Sequence, residues 1–217
     1  EQIIRQVLGS FLGLDRRFEL KGEFQGAKIY DDYAHHPTAI KVTLEAARQK
    51  FPHQKIWLVF QPHMFSRTKY LFDDFVKVFR EAAADKIIIC DIFPAREKDT
   101  GLVSSRDLVL AVGKKNVRYL GRFEEAVRYL PQNIKRGDIV INMGAGDIYR
   151  SQILLLIGKL GKDRIAVNEP MASHTTFQIG GPADLFYEVK DKAETLRALE
   201  LCKELEIPYF ILGGGSN

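Results

Sequence analysis

The chain has 217 residues, 46% of them hydrophobic and 28% charged, with a formal charge of +4, a balance that excludes a disordered, collagen-like or disulfide-scaffold protein. Its apolar runs, such as 153–157 and 87–90, fall far short of the roughly 18 residues a membrane helix needs. At a soft prior of about 150 residues per domain the length corresponds to about 1.4 domains, which fits one large domain or one plus a piece.

The first residues, Glu1-Gln2-Ile3-Ile4-Arg5, carry no initiator Met, basic region or apolar leader, so nothing there marks secretion. Cys90 and Cys202 lie far apart in apolar stretches, which suits reduced thiols in a cytoplasmic protein better than a disulfide or a metal site. From Ala27 onward short β-branched runs alternate with amphipathic segments, the rhythm of βα units around a parallel sheet. Strands are predicted at 27–31, 55–60, 86–90, 117–120 and 138–142. After Pro37, the apolar residues Ile40, Leu44 and Ala47 recur at helical spacing, and Phe72, Phe75, Val76, Phe79 and Ala83 form a wider stripe that reads as core. Shorter helices are expected at 106–112, 123–130 and 148–160. This makes residues 1–160 an α/β domain with a Rossmann-like, doubly wound, mostly parallel sheet.

After the polar stretch Gly161-Lys162-Asp163-Arg164 the pattern changes, and residues 161–217 read as a second, α+β domain. Its expected parts are a strand at 185–189, a helix at 192–205 with Leu196, Leu199 and Leu205 inward, and a strand at 209–212. Because a glycine loop directly after a strand leads into further structure, this domain is expected to be cut off. Charge divides at the same place: residues 159–217 carry 7 basic and 9 acidic side chains, whereas residues 1–158 carry 25 and 19. The Lys and Arg of the first part are dispersed without interleaved aromatics, so a small anionic substrate fits better than nucleic acid.

Four constellations can carry chemistry. Asp31, Asp32, Tyr33, His35 and His36 crowd the carboxyl end of the first predicted strand, where open α/β sheets bind ligands, and Pro37 opens the following helix. Asp32 can accept from a ribose and His35 can donate to a phosphate; the plainer alternative is that the carboxylates cap the turn and the histidines satisfy carbonyls. His63 and Arg67 lie after the second strand on the same sheet edge and can grip a carboxylate or phosphate, with Ser66 a candidate N-cap. Gly144-Ala145-Gly146-Asp147 is half of a dinucleotide fingerprint, equally explained by close packing at a strand-to-helix turn. Thr176, Gly180 and Gly181 form one glycine-rich loop and Gly213, Gly214, Gly215, Ser216 and Asn217 another, a pairing that suggests a pyrophosphate cradle. No metal-ligand spacing and no phosphate loop of the G-x-x-x-x-G-K-[ST] type occurs, so ATP phosphates need residues from elsewhere.

Arg16-Arg17-Phe18-Glu19, the Asp31 to Thr38 run, Phe60-Gln61-Pro62-His63 with Ser66-Arg67-Thr68, Leu71-Phe72-Asp73-Asp74-Phe75, and Met143-Gly144-Ala145-Gly146-Asp147 occur in one order. On these residues the first 158 positions resemble the C-terminal domain of the Mur ligases, in the branch that uses UDP-N-acetylmuramate and L-alanine. The resemblance implies an ATP-dependent, amide-forming ligase working through an acyl phosphate, its phosphate loop and Mg²⁺ ligands mostly in other domains. It also implies Asp32 at the ribose, Tyr33 and His35 at the nucleotide and its phosphates, and His35, His63 and Arg67 as catalytic residues, the latter two at the amino acid or the sugar-linked carboxylate. Met64 stands where many members carry Arg. A relative attaching a preformed tripeptide and a non-catalytic nucleotide-binding module are the rival readings.

Residues from about 165 onward resemble the start of the FAD-binding UDP-N-acetylenolpyruvoylglucosamine reductase family. The resemblance rests on Asn168-Glu169-Pro170, His174-Thr175-Thr176-Phe177, Ile179-Gly180-Gly181-Pro182-Ala183-Asp184 and the terminal glycine run. It implies FAD held by Gly213 to Asn217 with Thr176, Gly180 and Gly181 nearby, an NADPH site further on, and a ligase–reductase fusion acting on successive peptidoglycan precursors, without nucleic-acid or membrane partners.

Overall fold

The computed structural model describes residues 14–146, 152–160, 164–205 and 207–215. Asp147, Ser216, Asn217 and the predicted helix start at 148 lie outside the described residues.

The first part forms a sheet of six strands: β1 (Glu19–Phe24), β2 (Ala27–Asp32), β3 (Ile56–Phe60), β4 (Lys86–Ile89), β5 (Val117–Tyr119) and β6 (Ile139–Met143), in the order β1-β2-β6-β3-β4-β5. All neighbours are parallel except β1, which pairs antiparallel with β2. That edge strand was absent from the expected set because Glu-Leu-Lys-Gly-Glu-Phe has little β-branched character and its register slips between Leu20 and Gly22. The two strands are joined through Gln25 and Gly26, both at positive φ (53° and 78°), the geometry that a two-residue hairpin matching strand twist demands.

Both faces of the sheet are covered, as parallel strands require. Side-chain alternation sends Tyr30, Leu58, Phe60, Ile87, Ile89, Ile139 and Ile141 to one face. There they meet α1 (Pro37–Lys50), α3 (Phe72–Glu81) and α4 (Ser105–Val112). Phe75 and Phe79, buried in that layer, pack against Phe60 with ring centroids 5.7 and 5.2 Å away, so the aromatic stripe is core. The intervening residues Ile29, Trp57, Val59, Ile88 and Val140 face α5 (Phe123–Asn133) and α6 (Gln152–Leu160). Ser104 and Asp107 form a reciprocal cap at the start of α4, and Gly113 ends it at φ 67°. The buried Asp138 carboxylate accepts from the Trp57 indole at 2.9 Å and the Lys135 amide at 3.1 Å, tying β3 to the turn before β6.

The second part holds β7 (Ile165–Pro170) paired antiparallel with β8 (Pro182–Tyr187), then α7 (Lys192–Glu204), capped by the Asp191 side chain. Three expectations change here. β7 precedes the first expected strand, Leu196 is 51% exposed rather than inward, and residues 209–212 join no sheet among the described residues, with Phe210 87% exposed. A β-rich segment becomes a strand only with a neighbour to complete its hydrogen bonds. Ile165, Val167, Leu185 and Leu205 pack against the α5–α6 face, and Arg128 donates to the Val167 carbonyl at 2.6 Å. Cys90 and Cys202 are both buried and neither is in a disulfide.

Candidate functional site

β6 enters the sheet between β2 and β3, so the carboxyl ends of those three strands share one edge. The loops leaving β2 and β3 run into α1 and α2 (Phe65–Tyr70) at that edge, and their side chains meet in the crevice between the two loops.

Asp32 ends β2 and is only 4% exposed. Its Oδ1 accepts from the Ala34 amide at 2.7 Å and its Oδ2 from the Phe18 amide at 2.8 Å. The structure thus aims each Asp32 oxygen at one of the two chain segments that the side chain ties together. Asp31 is fully buried and receives Arg16 Nε at 2.9 Å; Arg16 Nη2 continues to the Gly144 carbonyl at 2.7 Å. Burial pushes the Asp31 carboxyl above its usual value against the pull of Arg16. The Tyr33 amide donates to the Arg16 carbonyl at 2.7 Å, and the guanidinium groups of Arg16 and Arg17 lie 5.0 and 5.5 Å from the Tyr33 ring centre. Sequence spacing did not single out either arginine, because an antiparallel edge brings position 16 back to position 31.

His35 and His36 divide their tasks. His36 is the N-cap of α1, with Pro37 in the first turn. The Nδ1 of His35 lies 2.8 Å from the Tyr33 carbonyl, which can only accept, so Nδ1 carries the proton and the outward Nε2 of the neutral ring is an acceptor. In the neutral ring that outward Nε2 suits an O–H or N–H donor, and donation to a phosphate, as the sequence suggests, calls for the protonated ring.

Across the crevice, His63 stacks on Phe93 at 5.6 Å between centroids and lies 5.9 Å from His35, whose ring stands edge-on to Tyr33 at 5.1 Å. Arg67 Nη1 reaches His63 Nδ1 at 3.2 Å. A guanidinium only donates, so His63 Nδ1 accepts and Nε2–H is its free donor. The sequence paired His63 with Arg67, and the structure brings them together with His35 and Tyr33. Ser66 is not the N-cap of α2, a place taken by Met64; its amide donates to Glu97 Oε2 at 3.0 Å and its hydroxyl to Glu97 Oε1. Those hydrogen bonds hold the Glu97 carboxyl below its ordinary range. Phe93 and Glu97 come from an irregular loop whose sequence carries no signal for them.

Gly146 closes the floor. A Cβ there would stand 2.4 Å from Gln61 Oε1 and 2.5 Å from the Phe93 ring, so close packing accounts for this glycine. Among the described residues no cluster of three His, Cys, Asp or Glu side chains forms a metal site.

Burial, then the Arg67 charge, holds His63 below the ordinary histidine value; burial also lowers His35, opposed by the Tyr33 carbonyl and aided by Arg67. A histidine lowered in this way binds fewer protons folded than unfolded. Its stabilising contribution is complete above about pH 6.5, the unfolded value, and is lost as pH falls through and below it. NMR titration is expected to place both midpoints below about 6.5 and Arg67→Ala to raise them; an unmoved His63 midpoint would refute the coupling.

In the second part the two glycine segments adjoin. The Gly215 carbonyl accepts from the Thr176 amide at 2.8 Å and hydroxyl at 3.1 Å, and at φ 68° a Gly215 Cβ would meet the His174 carbonyl at 2.0 Å. Gly181, Gly213 and Gly214 face open space, and Gly180 lies against Met171.

A family model described as Mur ligase, glutamate ligase domain, matches residues 16–146. A UDP-N-acetylmuramate–L-alanine ligase from Alkaliphilus metalliredigens is 55% identical over 157 residues, 72% of this chain and 34% of the relative. In fold the chain is similar to a UDP-N-acetylmuramate-alanine ligase from Thermotoga maritima (TM-score 0.54, 22% identity, 70% of this chain and 34% of that one). It is also similar to a bifunctional folylpolyglutamate synthase/dihydrofolate synthase from Yersinia pestis, solved with AMPPNP and a Mn ion (TM-score 0.52, 21% identity, 71% and 34% covered). The chain spans about a third of the length of the curated relatives it matches. With the family model covering most of the six-stranded sheet and the crevice at its edge, the chain belongs to the Mur ligase family.

Proposed function

We propose that residues 16–146 are the C-terminal domain of a ligase that joins L-alanine to UDP-N-acetylmuramate at the expense of ATP. The observation that carries this reading is the His63–Arg67 pair facing Tyr33 and His35 across one crevice, in a chain 55% identical to a ligase of that name. In such a reaction a carboxylate oxygen of the sugar's lactyl group takes the γ-phosphoryl group and ADP leaves. The alanine amine then attacks the acyl carbon, and the C–O bond to phosphate breaks as the amine gives up a proton.

Each side chain has a task in that sequence. Arg67 presents a planar fork of donors suited to a carboxylate, and His63 adds a donor through Nε2. Burial lowers the affinity of His63 for a proton, which favours the uncharged ring beside the incoming ammonium. The outward acceptor of His35 and the ring of Tyr33 fit the hydroxyl-bearing, flat parts of a nucleotide, with Arg17 supplying charge for phosphates. Asp32 acts through the loop that it fastens. For the Mg²⁺ that accompanies ATP in this chemistry, the described residues hold no cluster of three His, Cys, Asp or Glu side chains.

For residues 161–217 we propose the beginning of an FAD-binding reductase domain acting on UDP-N-acetylenolpyruvoylglucosamine, with NADPH as reductant. Its support is the clasp between Thr176 and Gly215, which leaves the backbone of Gly213 and Gly214 open to a diphosphate. FAD, when bound, would relay a hydride from NADPH.

The test is amino-acid-dependent ADP release by a full-length ligase carrying this segment. Release with UDP-N-acetylmuramate and L-alanine is expected; release with a preformed tripeptide and not with alanine overturns the assignment. Flavin absorbance in a protein extended through a whole second domain, lost in Gly214→Val, checks the reductase part.

A further inference from the structure

Between His63 and the helix bearing Arg67 the backbone passes through Met64 at φ 73° and ψ 132°. Residues with a Cβ rarely adopt this conformation, and they persist in it only where the surroundings hold them there. Here the hold is visible. The Met64 amide donates to the Phe93 carbonyl at 2.8 Å, and the Phe93 amide donates to the Pro62 carbonyl at 2.8 Å. On the other side the Met64 carbonyl accepts twice from Thr68, from its amide at 3.1 Å and its hydroxyl at 2.8 Å. Thr68 is fully buried, so its hydroxyl is spent on this contact rather than on solvent.

The kink has a geometric result. It turns the chain out of the β3 loop and straight into α2, so that Arg67 comes back to within 3.2 Å of His63 while His63 stays stacked on Phe93. A residue free to relax to negative φ at position 64 would redirect α2 and separate the pair. We infer that Met64 is a strained joint that sets the spacing of His63 and Arg67, and that Thr68 is the positioning residue that keeps it closed. The inference rests on assigning that pair to the amino-acid substrate.

A coupling between the two positions is expected. Thr68→Val keeps the volume and the helix but removes the hydroxyl, so with Met at position 64 the joint opens for part of the time. In the Met64→Gly background the strain is gone and the hydroxyl is no longer needed. In a full-length ligase carrying this segment, Thr68→Val is expected to raise KM for the amino acid at least about fivefold with KM for ATP unmoved, and Thr68→Ser to restore it. The same Thr68→Val change in the Met64→Gly background is expected to alter that KM by less than about twofold. Equal effects in the two backgrounds, or no effect with Met64 present, overturn the proposal.

Thermal unfolding of the chain itself supplies a readout independent of substrate. Met64→Gly is expected to unfold at a higher temperature than Met64→Ala, which keeps the strain and loses only the thioether; the reverse order overturns the strained joint. A ligase that turns over no amino acid sinks the substrate assignment, and this stability comparison still decides the joint.

Discussion

Arg67→Ala in a full-length ligase carrying this segment is expected to lower kcat/KM for the amino acid about a hundredfold, or ~2.7 kcal/mol, with KM for ATP changed little. The guanidinium is half-buried beside His63, whose affinity for a proton is lowered by burial, so the Arg67 charge is what a substrate carboxylate meets there. Charge-assisted hydrogen bonds contribute about 1.5–3 kcal/mol each, and a fork that makes two of them accounts for a loss of this size. Arg67→Lys is expected to recover only a small part, because an ammonium restores charge but not the paired geometry. Steady-state kinetics with each substrate varied in turn checks this, and a loss confined to the ATP term would move Arg67 to the nucleotide.

Asp32→Asn is expected to destabilise the chain by about 2–3 kcal/mol, almost as much as Asp32→Ala, although the side chains are nearly the same size. The reason lies in what faces the carboxylate. Both of its oxygens accept main-chain N–H groups, from Ala34 and from Phe18. An asparagine must turn its NH₂ toward one of them, which sets donor against donor in a place that water does not reach. Urea unfolding should show a lower midpoint at an unchanged slope. Equal stability of the Asn variant and the native chain would mean that one of the two hydrogen bonds does not form in solution.

Much of this was legible in the residues. Runs such as Ile-Trp-Leu-Val-Phe at β3 and Ile-Val-Ile-Asn-Met at β6 are buried from end to end and read as interior parallel strands. His35 and His63 could be joined because residues at the carboxyl ends of parallel strands share an edge whatever their distance in sequence. The parts that escaped depend on pairing or on irregular backbone. β1 is a strand only because β2 lies beside it, and residues 209–212 look equally strand-like yet have no partner. Phe93 and Glu97 reach the crevice from a loop without periodicity, and the protonation pattern of His35 follows from a carbonyl two residues away.

The position of β6 has a further consequence, for the order of events during folding. The strand at the middle of the sheet is the last of its six to be synthesised, so β2 and β3 must wait with unsatisfied inner edges until residues 139–143 leave the ribosome. Helices α1, α3 and α4 can gather on their face of β3 and β4 beforehand, but the crevice has no floor until that late insertion. The β2–β6 pairing spans 111 positions, from Lys28 to Ile139, and the β3–β6 pairing 83, from Ile56 to Ile139, and such distant contacts make folding slow. A nascent chain stalled before Asp138 would therefore expose two adjacent open strand edges, and its hazard would be association with another copy of itself rather than mere loss of activity.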